Sequence, residues 1–167
     1  MKKKKSEQID YKKDRSSIIG IQPIEIIYAK SHNKCKRVIK KANELKIPIV
    51  IRGAGTGTTA GAVPIKKSIL LSLEKMNKII EMDENNSTIT VEPGVKIPEI
   101  NNVAQIHNLF YPVDPASINI CTIGGTVAEN AGGPRALKYG VTKDYVIGLK
   151  GIWANGETFE LGGKQLK

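Results

Sequence analysis

The residues best suited to chemistry in this chain are small ones. Arg52-Gly53-Ala54-Gly55-Thr56-Gly57-Thr58-Thr59-Ala60-Gly61 directly follows the apolar run Ile49-Val50-Ile51. Glycines reach backbone conformations that aim several N–H groups at one centre, and small neighbours leave those groups uncovered. Such a nest binds an anion, typically a phosphate or pyrophosphate, and Thr56, Thr58 and Thr59 add hydroxyl donors. The segment contains Gly55-x-Gly57-x-x-Ala60, a loose dinucleotide fingerprint. That fingerprint has to open a helix, whereas here the chain passes through Ala60 to Pro64 towards another strand. Glu81 and Asp83 fall near a hairpin turn and not where a ribose contact needs them. No Gly-Lys-Ser/Thr occurs, so the phosphate loop of ATPases is absent.

A second small-residue stretch runs from Asp114-Pro115-Ala116-Ser117 to Cys121-Thr122-Ile123-Gly124-Gly125-Thr126-Val127-Ala128-Glu129-Asn130-Ala131-Gly132-Gly133-Pro134. Gly124-Gly125 before Val127-Ala128 suggests a short helix with a bare N-terminus, which favours negative charge. Ala128, Ala131, Gly132 and Gly133 would let a flat ring system approach the backbone. Two such segments in one small domain point to a shared, extended ligand.

The elements that must position these segments follow from periodicity. Pro23 to Tyr28 reads as a short strand. From Ser31, Cys35, Val38, Ile39, Ala42 and Leu45 fall on one helical face, with Ser31 as cap and Pro48 as terminator. Ile49-Val50-Ile51 reads as a buried strand, which suggests a parallel pair with the first strand through a right-handed crossover. Ser68 to Leu73 is another buried strand. Ile79 to Met82 and Thr88 to Val91 form a hairpin. Pro98 opens a helix that runs to about His107, with Ile100, Val103 and Ala104 inward. Tyr111 to Ser117 is irregular. Asp144 to Ala154 reads as a strand that pairs back with Thr158 to Leu161 across Asn155-Gly156. Residues 1–20 look like a frayed or loosely docked lead-in.

The bulk numbers bound the rest. The chain has 167 residues, 40% of them hydrophobic and 25% charged, which suits one globular domain. Residues 1–50 hold 14 of the 26 Lys and Arg but only 5 of the 16 Asp and Glu, so the net charge of +10 sits in the Lys2–Lys5 run and on one helix. Aromatics are 5%, too few to interleave with that charge as in a nucleic-acid surface, so we expect no nucleic-acid partner. We expect no transmembrane segment, no secretion signal and a cytoplasmic location. Cys35 and Cys121 make neither a disulfide framework nor a metal quartet. Neither His32 nor His107 falls in a motif. No titratable pair suggests a general base, so we assign no catalytic residue and no metal.

The stretches "IPIVIRGAGTGTTAGAVP", "TVEPGV", "FYPVDPAS", "CTIGGTVAENAGG" and "KYGVTKDYVIGL", in that order, resemble the flavin-linked glycolate oxidase and D-lactate dehydrogenase group. That group belongs to the vanillyl-alcohol-oxidase type of FAD-binding fold, and the likeness covers roughly residues 20–163. It implies an α/β (α+β) architecture. Residues 1–19 would be a basic lead-in, 20–94 a small parallel α/β subdomain, and 95–167 part of a mainly antiparallel one, with FAD between the two. Gly53, Ala54, Gly55, Thr56 and Gly57 would hold the pyrophosphate. Pro115, Thr122, Gly124, Gly125, Ala128, Gly132 and Gly133 would line the flavin and ribityl side. Relatives often carry Asn where Thr126 stands. No histidine lies in the first loop, so FAD is expected to be held non-covalently. The group oxidises small 2-hydroxyacids with hydride transfer to FAD N5, and a neighbouring group with the same fold reduces a UDP-sugar. Further FAD contacts and a substrate domain would follow Lys167, so this chain alone is expected to be inactive and to self-associate through uncovered apolar surface. The alternative is a non-catalytic remnant or binding module without flavin.

Overall fold

Ser31 sets the start of the longest helix in the computed structural model, which describes residues 9–164. Its backbone is extended and its hydroxyl accepts the Lys34 N–H at 3.3 Å, so α1 runs from His32 to Leu45. The helix stops before Pro48. Lys46 turns left-handed, with φ 54°, and the N–H groups of Lys46 and Ile47 take the Asn43 and Ala42 carbonyls. Cys35, Val38 and Ala42 are buried as the periodicity predicts, while Leu45, beyond the last buried turn, is exposed.

Three parallel strands, β1 (Glu25–Tyr28), β2 (Ile49–Arg52) and β3 (Ile69–Ser72), form a sheet in the order β1-β3-β2. Ile69 stands opposite both Glu25 and Ile49. The expected pairing of β1 with β2 is therefore corrected: β3 inserts between them. Every residue of β3 is buried, as befits a strand with a neighbour on each side. The reading of Ile49-Val50-Ile51 as fully buried fails for the same reason. β2 is an edge strand and Ile51 is 56% exposed.

One face of this sheet meets α1. Ala29, Cys35, Val38, Ala42, Ile69, Leu71 and Met76 form the core cluster, with Ile27, Ile49 and Ile152 packed against it. The Cys35 thiol points at Met76 Sδ, 3.7 Å away, and burial pushes its pKa up.

The remaining elements are hairpins and short helices. β4 (Ile79–Asp83) and β5 (Thr88–Val91) pair antiparallel, with a register shift between Ile79 and Glu81. α2 (Ile97–Ile106) begins at Pro98 as expected, and Glu99 reaches back to the Lys96 N–H at 3.0 Å. His107 at its end meets Glu84 of the β4–β5 turn at 3.1 Å. α3 (Ile123–Glu129) and α4 (Ala136–Tyr139) follow. β6 (Gly148–Ile152) and β7 (Thr158–Gly162) form the last hairpin, with Gly156 at φ 87° in its turn. β6 starts later than Asp144, because Thr142–Tyr145 form a 3-10 turn in which the Asp144 carboxylate accepts the Val141 N–H at 2.7 Å. A local side-chain bond has there displaced the ladder. The hairpin lies on α1, where Asn43 Nδ2 donates to the Ala154 carbonyl at 2.6 Å and His32 shares a bond with Thr158 at 2.9 Å.

Of the two readings of the lead-in, frayed or loosely docked, the structure has it docked from Tyr11 onwards. Gly20 N–H returns to the Lys12 carbonyl, and Ile21 N–H donates to the Pro64 carbonyl, each at 2.8 Å. The Lys2–Lys5 run lies outside the described residues. No described helix is long and apolar enough to cross a membrane.

The packing sets an expectation for stability. Leu71→Ala should cost about 2–5 kcal/mol, and Ile51→Thr on the open edge should stay within about 0.5 kcal/mol of the parent. Urea unfolding followed by far-UV circular dichroism checks both. Because burial raises the pKa of both Cys35 and Cys121, less thiolate is present near pH 8 than on a free cysteine. Disulfide-exchange reagents should label both slowly until the chain is unfolded.

Candidate functional site

The loop that joins β2 to β3 is built around a buried cation. Arg52, the last residue of β2, is only 5% exposed. Its Nη1 donates to the Lys13 carbonyl at 2.9 Å and to the Ala62 carbonyl at 3.2 Å, and its guanidinium carbon lies 5.5 Å from the centre of the Tyr11 ring. Gly55 passes directly over it with φ 67°, and a Cβ there would sit 2.1 Å from Arg52 Nη2. Further along, the Gly57 carbonyl accepts the Arg15 N–H at 3.0 Å. The carbonyls of Gly57, Ala62 and Pro64 are thus engaged by the lead-in and by Arg52. Among the described residues, none of the N–H groups of residues 53–62 donates to a protein acceptor. Ten consecutive donors at this loop are thus left without protein partners, as an anion-binding nest requires.

α3 lies along this loop. Its cap Thr122 is buried beside Gly53, where a Cβ would come 2.3 Å from Thr122 Oγ1. At the other end Glu129 accepts the Thr59 hydroxyl at 2.6 Å, and a Cβ on Gly61 would lie 2.8 Å from its Oε1. Thr59 is therefore committed within the chain, and Thr56 and Thr58 remain as hydroxyl donors. The bare helix N-terminus expected from the sequence is corrected. Ile123 N–H donates to the Val95 carbonyl and Gly124 N–H to the Pro93 carbonyl, each at 2.8 Å, while Gly125 N–H reaches Thr122 Oγ1 at 3.4 Å. The lone bridge between Lys96 and Thr122 carries these contacts. α3 offers a surface of small side chains in place of an anion hole.

The walls beyond α3 are held to the 110–117 segment. Asp114 accepts the Arg135 N–H and pairs with its Nε, both at 3.2 Å. A Cβ on Gly133 would lie 2.1 Å from the Asp114 carbonyl, and one on Gly132 would lie 3.0 Å from Val141 Cγ1. Thr142, fully buried, ties its N–H and hydroxyl to the Ala131 carbonyl at 3.0 and 2.7 Å.

These segments enclose an open cleft of about 1840 Å³. Gly53, Ala54, Gly55, Thr56, Gly57, Pro115, Thr122, Gly124, Gly125, Ala128 and Gly132 all line it, whereas Gly133 is set aside by its packing on Asp114. Asp14, Thr88 and Tyr111 line it as well, each with a buried oxygen that has no protein partner. Burial pushes the Tyr111 phenol pKa up. Sequence reasoning missed the roles of Arg52, Glu129 and the Asp14–Arg15 strap. Arg52 had a signal, as a charged residue between a core strand and a nest. Glu129 had none. Among the described residues no group of three or more His, Cys, Asp or Glu is placed to hold a metal.

The glycines thus divide by what a side chain would meet. Gly53, Gly55, Gly124 and Gly133 touch the protein itself, and Gly57 opens on the cleft with nothing nearer than 4.0 Å. Gly53→Ala should cost about 1–3 kcal/mol by forcing the loop off α3. Gly57→Ala should leave stability within about 0.5 kcal/mol of the parent, since its Cβ would meet nothing nearer than 4.0 Å. Thermal melting of the two variants checks the division.

Comparison with known proteins places this geometry. The family described as FAD binding domain matches residues 23–162. The chain is 41% identical over 157 residues to glycolate oxidase subunit GlcD of Bacillus subtilis, covering 94% of this chain and 33% of that protein. It is 40% identical over 154 residues to the D-lactate dehydrogenase of Anaerostipes hadrus, covering 92% and 32%. Among solved structures, p-cresol methylhydroxylase with substrate bound superposes with a TM-score of 0.73 at 27% identity, over 90% of this chain and 30% of that one. Alkyldihydroxyacetonephosphate synthase gives 0.74 at 24% identity, over 81% and 25%. The chain spans about a third of the length of the curated relatives it matches. With the nest, the small-residue face of α3 and the cleft between them, the chain belongs to the FAD binding domain family of flavoproteins, with FAD as its cofactor and the vanillyl-alcohol-oxidase type of fold.

Proposed function

We propose that this chain is the flavin-holding portion of an oxidoreductase that oxidises a small 2-hydroxyacid of the glycolate or D-lactate class. The observation that carries the reading is the run of free N–H groups from Gly53 to Ala62 beside the small-residue face of α3, in one elongated cleft. The names of its relatives, glycolate oxidase and D-lactate dehydrogenase, supply the substrate class.

When bound, FAD supplies the hydride acceptor of such a reaction. The chain's own residues bind and orient it. The N–H groups of Gly53 to Gly57 hold the pyrophosphate, with Arg15 lining the same cleft. Gly125 and Ala128 present little side chain, so a planar ring can lie against α3. Pro115 and Thr122 close the ribityl side. The first loop offers no histidine, and we assign non-covalent attachment. We further assign residues 20–94 and 95–167 to two subdomains that flank the flavin. Proton abstraction and substrate binding belong to a further domain, so the chain alone holds FAD weakly and turns nothing over.

Gly55→Glu is a poor probe of the nest, because its side chain would strike Arg52 and its backbone is left-handed. Gly57→Glu directs a carboxylate into the cleft from a position with room for it. We expect it to weaken FAD at least about tenfold, with an unchanged melting temperature. Flavin fluorescence titration checks this, and wild-type affinity in the variant removes the loop from the site.

For the chain itself we expect FAD affinity on the order of 100-fold below that of a full-length relative, and no dye-linked oxidation of glycolate or D-lactate. Flavin absorbance per chain after gel filtration, with the dye assay on the same sample, measures both. A stoichiometric yellow complex that reduces the dye would overturn the assignment of catalysis to a further domain. A chain that takes up no flavin at all would favour the reading as a non-catalytic remnant.

A further inference from the structure

We propose that Arg52 is a positioning residue for the flavin pyrophosphate, and that the N-terminal strap of residues 10–21 sets the affinity of the site through it. The inference rests on the flavin reading above and extends it to residues that the glycine motif does not include.

Arg52 lies beneath the loop. Its Nη1 bridges two carbonyls from distant parts of the chain, Lys13 of the strap at 2.9 Å and Ala62 of the loop at 3.2 Å. The N–H on the opposite edge of that Ala62 peptide, Val63 N–H, goes to the Ala60 carbonyl at 3.1 Å, so Arg52 and this bond together pin the end of the loop whose free donors precede it. The strap adds bonds of its own, from Arg15 N–H to the Gly57 carbonyl at 3.0 Å and from Ile21 N–H to the Pro64 carbonyl at 2.8 Å. Tyr11 covers the guanidinium from the strap side. The strap closes on itself through Gly20 N–H and the Lys12 carbonyl, so it engages the loop as one unit.

Three consequences follow from this arrangement. Without the strap, Arg52 loses one carbonyl and its aromatic cover, and the loop carbonyls are free to rotate. The donors above them then lose their common aim. The buried guanidinium also places a positive charge under the anion site, where solvent screens it little. Lysine keeps that charge and has donors enough for both carbonyls but lacks the planar guanidinium that lies against the Tyr11 ring and beneath Gly55, so Arg52→Lys separates shape from charge.

The test uses the whole chain, with FAD titration by flavin fluorescence and limited trypsin cleavage after Lys12, Lys13 and Arg15 read by mass spectrometry. If strap docking and flavin binding are coupled, each must strengthen the other by the same factor. In the wild type, saturating FAD should slow cleavage in the strap at least about fivefold, and Arg52→Gln and Arg52→Lys should each raise the FAD dissociation constant at least about tenfold. Neither variant should show protection of the strap by FAD. Arg15→Pro removes the N–H that holds Gly57 and leaves Arg52 in place; compared with Arg15→Ala, which loses the same side chain but keeps the N–H, it should weaken FAD about threefold or more. If circular dichroism shows the Arg52 variants unfolded, Arg15→Pro decides alone. Wild-type FAD affinity in folded Arg52 variants, or equal affinity in Arg15→Pro and Arg15→Ala, overturns the proposal, as does strap cleavage in the wild type that FAD leaves unchanged. A wild-type chain that takes up no FAD overturns the flavin reading and this inference together, an outcome distinct from equal binding by wild type and variants.

Discussion

A peptide plane carries its N–H and its C=O on opposite edges, so a loop can present donors to a cleft only if its carbonyls find partners behind it. Much of this molecule serves that constraint. Behind the 53–62 loop stand the Arg52 guanidinium at Ala62 and one lead-in N–H, Arg15's, at Gly57, and a second, Ile21's, holds Pro64 just beyond it. Burying a cation costs several kcal/mol unless its hydrogen bonds are met. Here two carbonyls and an aromatic ring meet it, and a left-handed glycine at 55 makes the room. The arginine and the glycine are therefore one device: a side chain at 55 would displace the guanidinium, and a smaller residue at 52 would leave a void beneath the loop.

The placement of α3 depends on the same closeness. It touches the loop at Gly53 through Thr122 and at Gly61 through Glu129, so its length of seven residues spans the loop from end to end. Its first N–H groups go to Pro93 and Val95, which ties it to the turn that leads from β5 into α2. The helix is consequently an element of the wall and leaves anion binding to the loop. This also explains why so many glycines cluster here. Gly53, Gly124 and Gly133 allow backbones to approach within the protein, and Gly57 and Gly125 leave space for a ligand.

Several features were legible in the sequence because they are local. The Ser31 cap, the face of Cys35, Val38 and Ala42, the proline at the start of α2 and the Asn155-Gly156 turn each depend on a few neighbouring residues. The nest was legible for the same reason, since glycine density after an apolar strand reports on backbone freedom. The errors were mostly non-local, the Asp144 turn being the local exception. Ile49-Val50-Ile51 and Ile69-Leu70-Leu71 look alike as sequence, yet the first is an edge and the second the centre. Gly124-Gly125 looked like a free helix end because Pro93 and Val95 are about thirty residues away in sequence. Asp144 was read into a strand although its carboxylate caps a turn.

The amino-acid sequence by itself determined most element types, the glycine-rich loop after β2, the family resemblance and the concentration of charge in the first fifty residues. Each is a property of residue type and short spacing. Only the tertiary structure decided the strand order, the partners of the Gly57 and Ala62 carbonyls, the closure of the α3 N-terminus and which glycines face the protein or the cleft. Those outcomes turn on contacts between segments far apart in the chain, such as Arg52 with Lys13, Gly53 with Thr122 and Thr59 with Glu129. No short-range pattern encodes them, because the close packing that selects one partner for each group exists only once the whole core has formed.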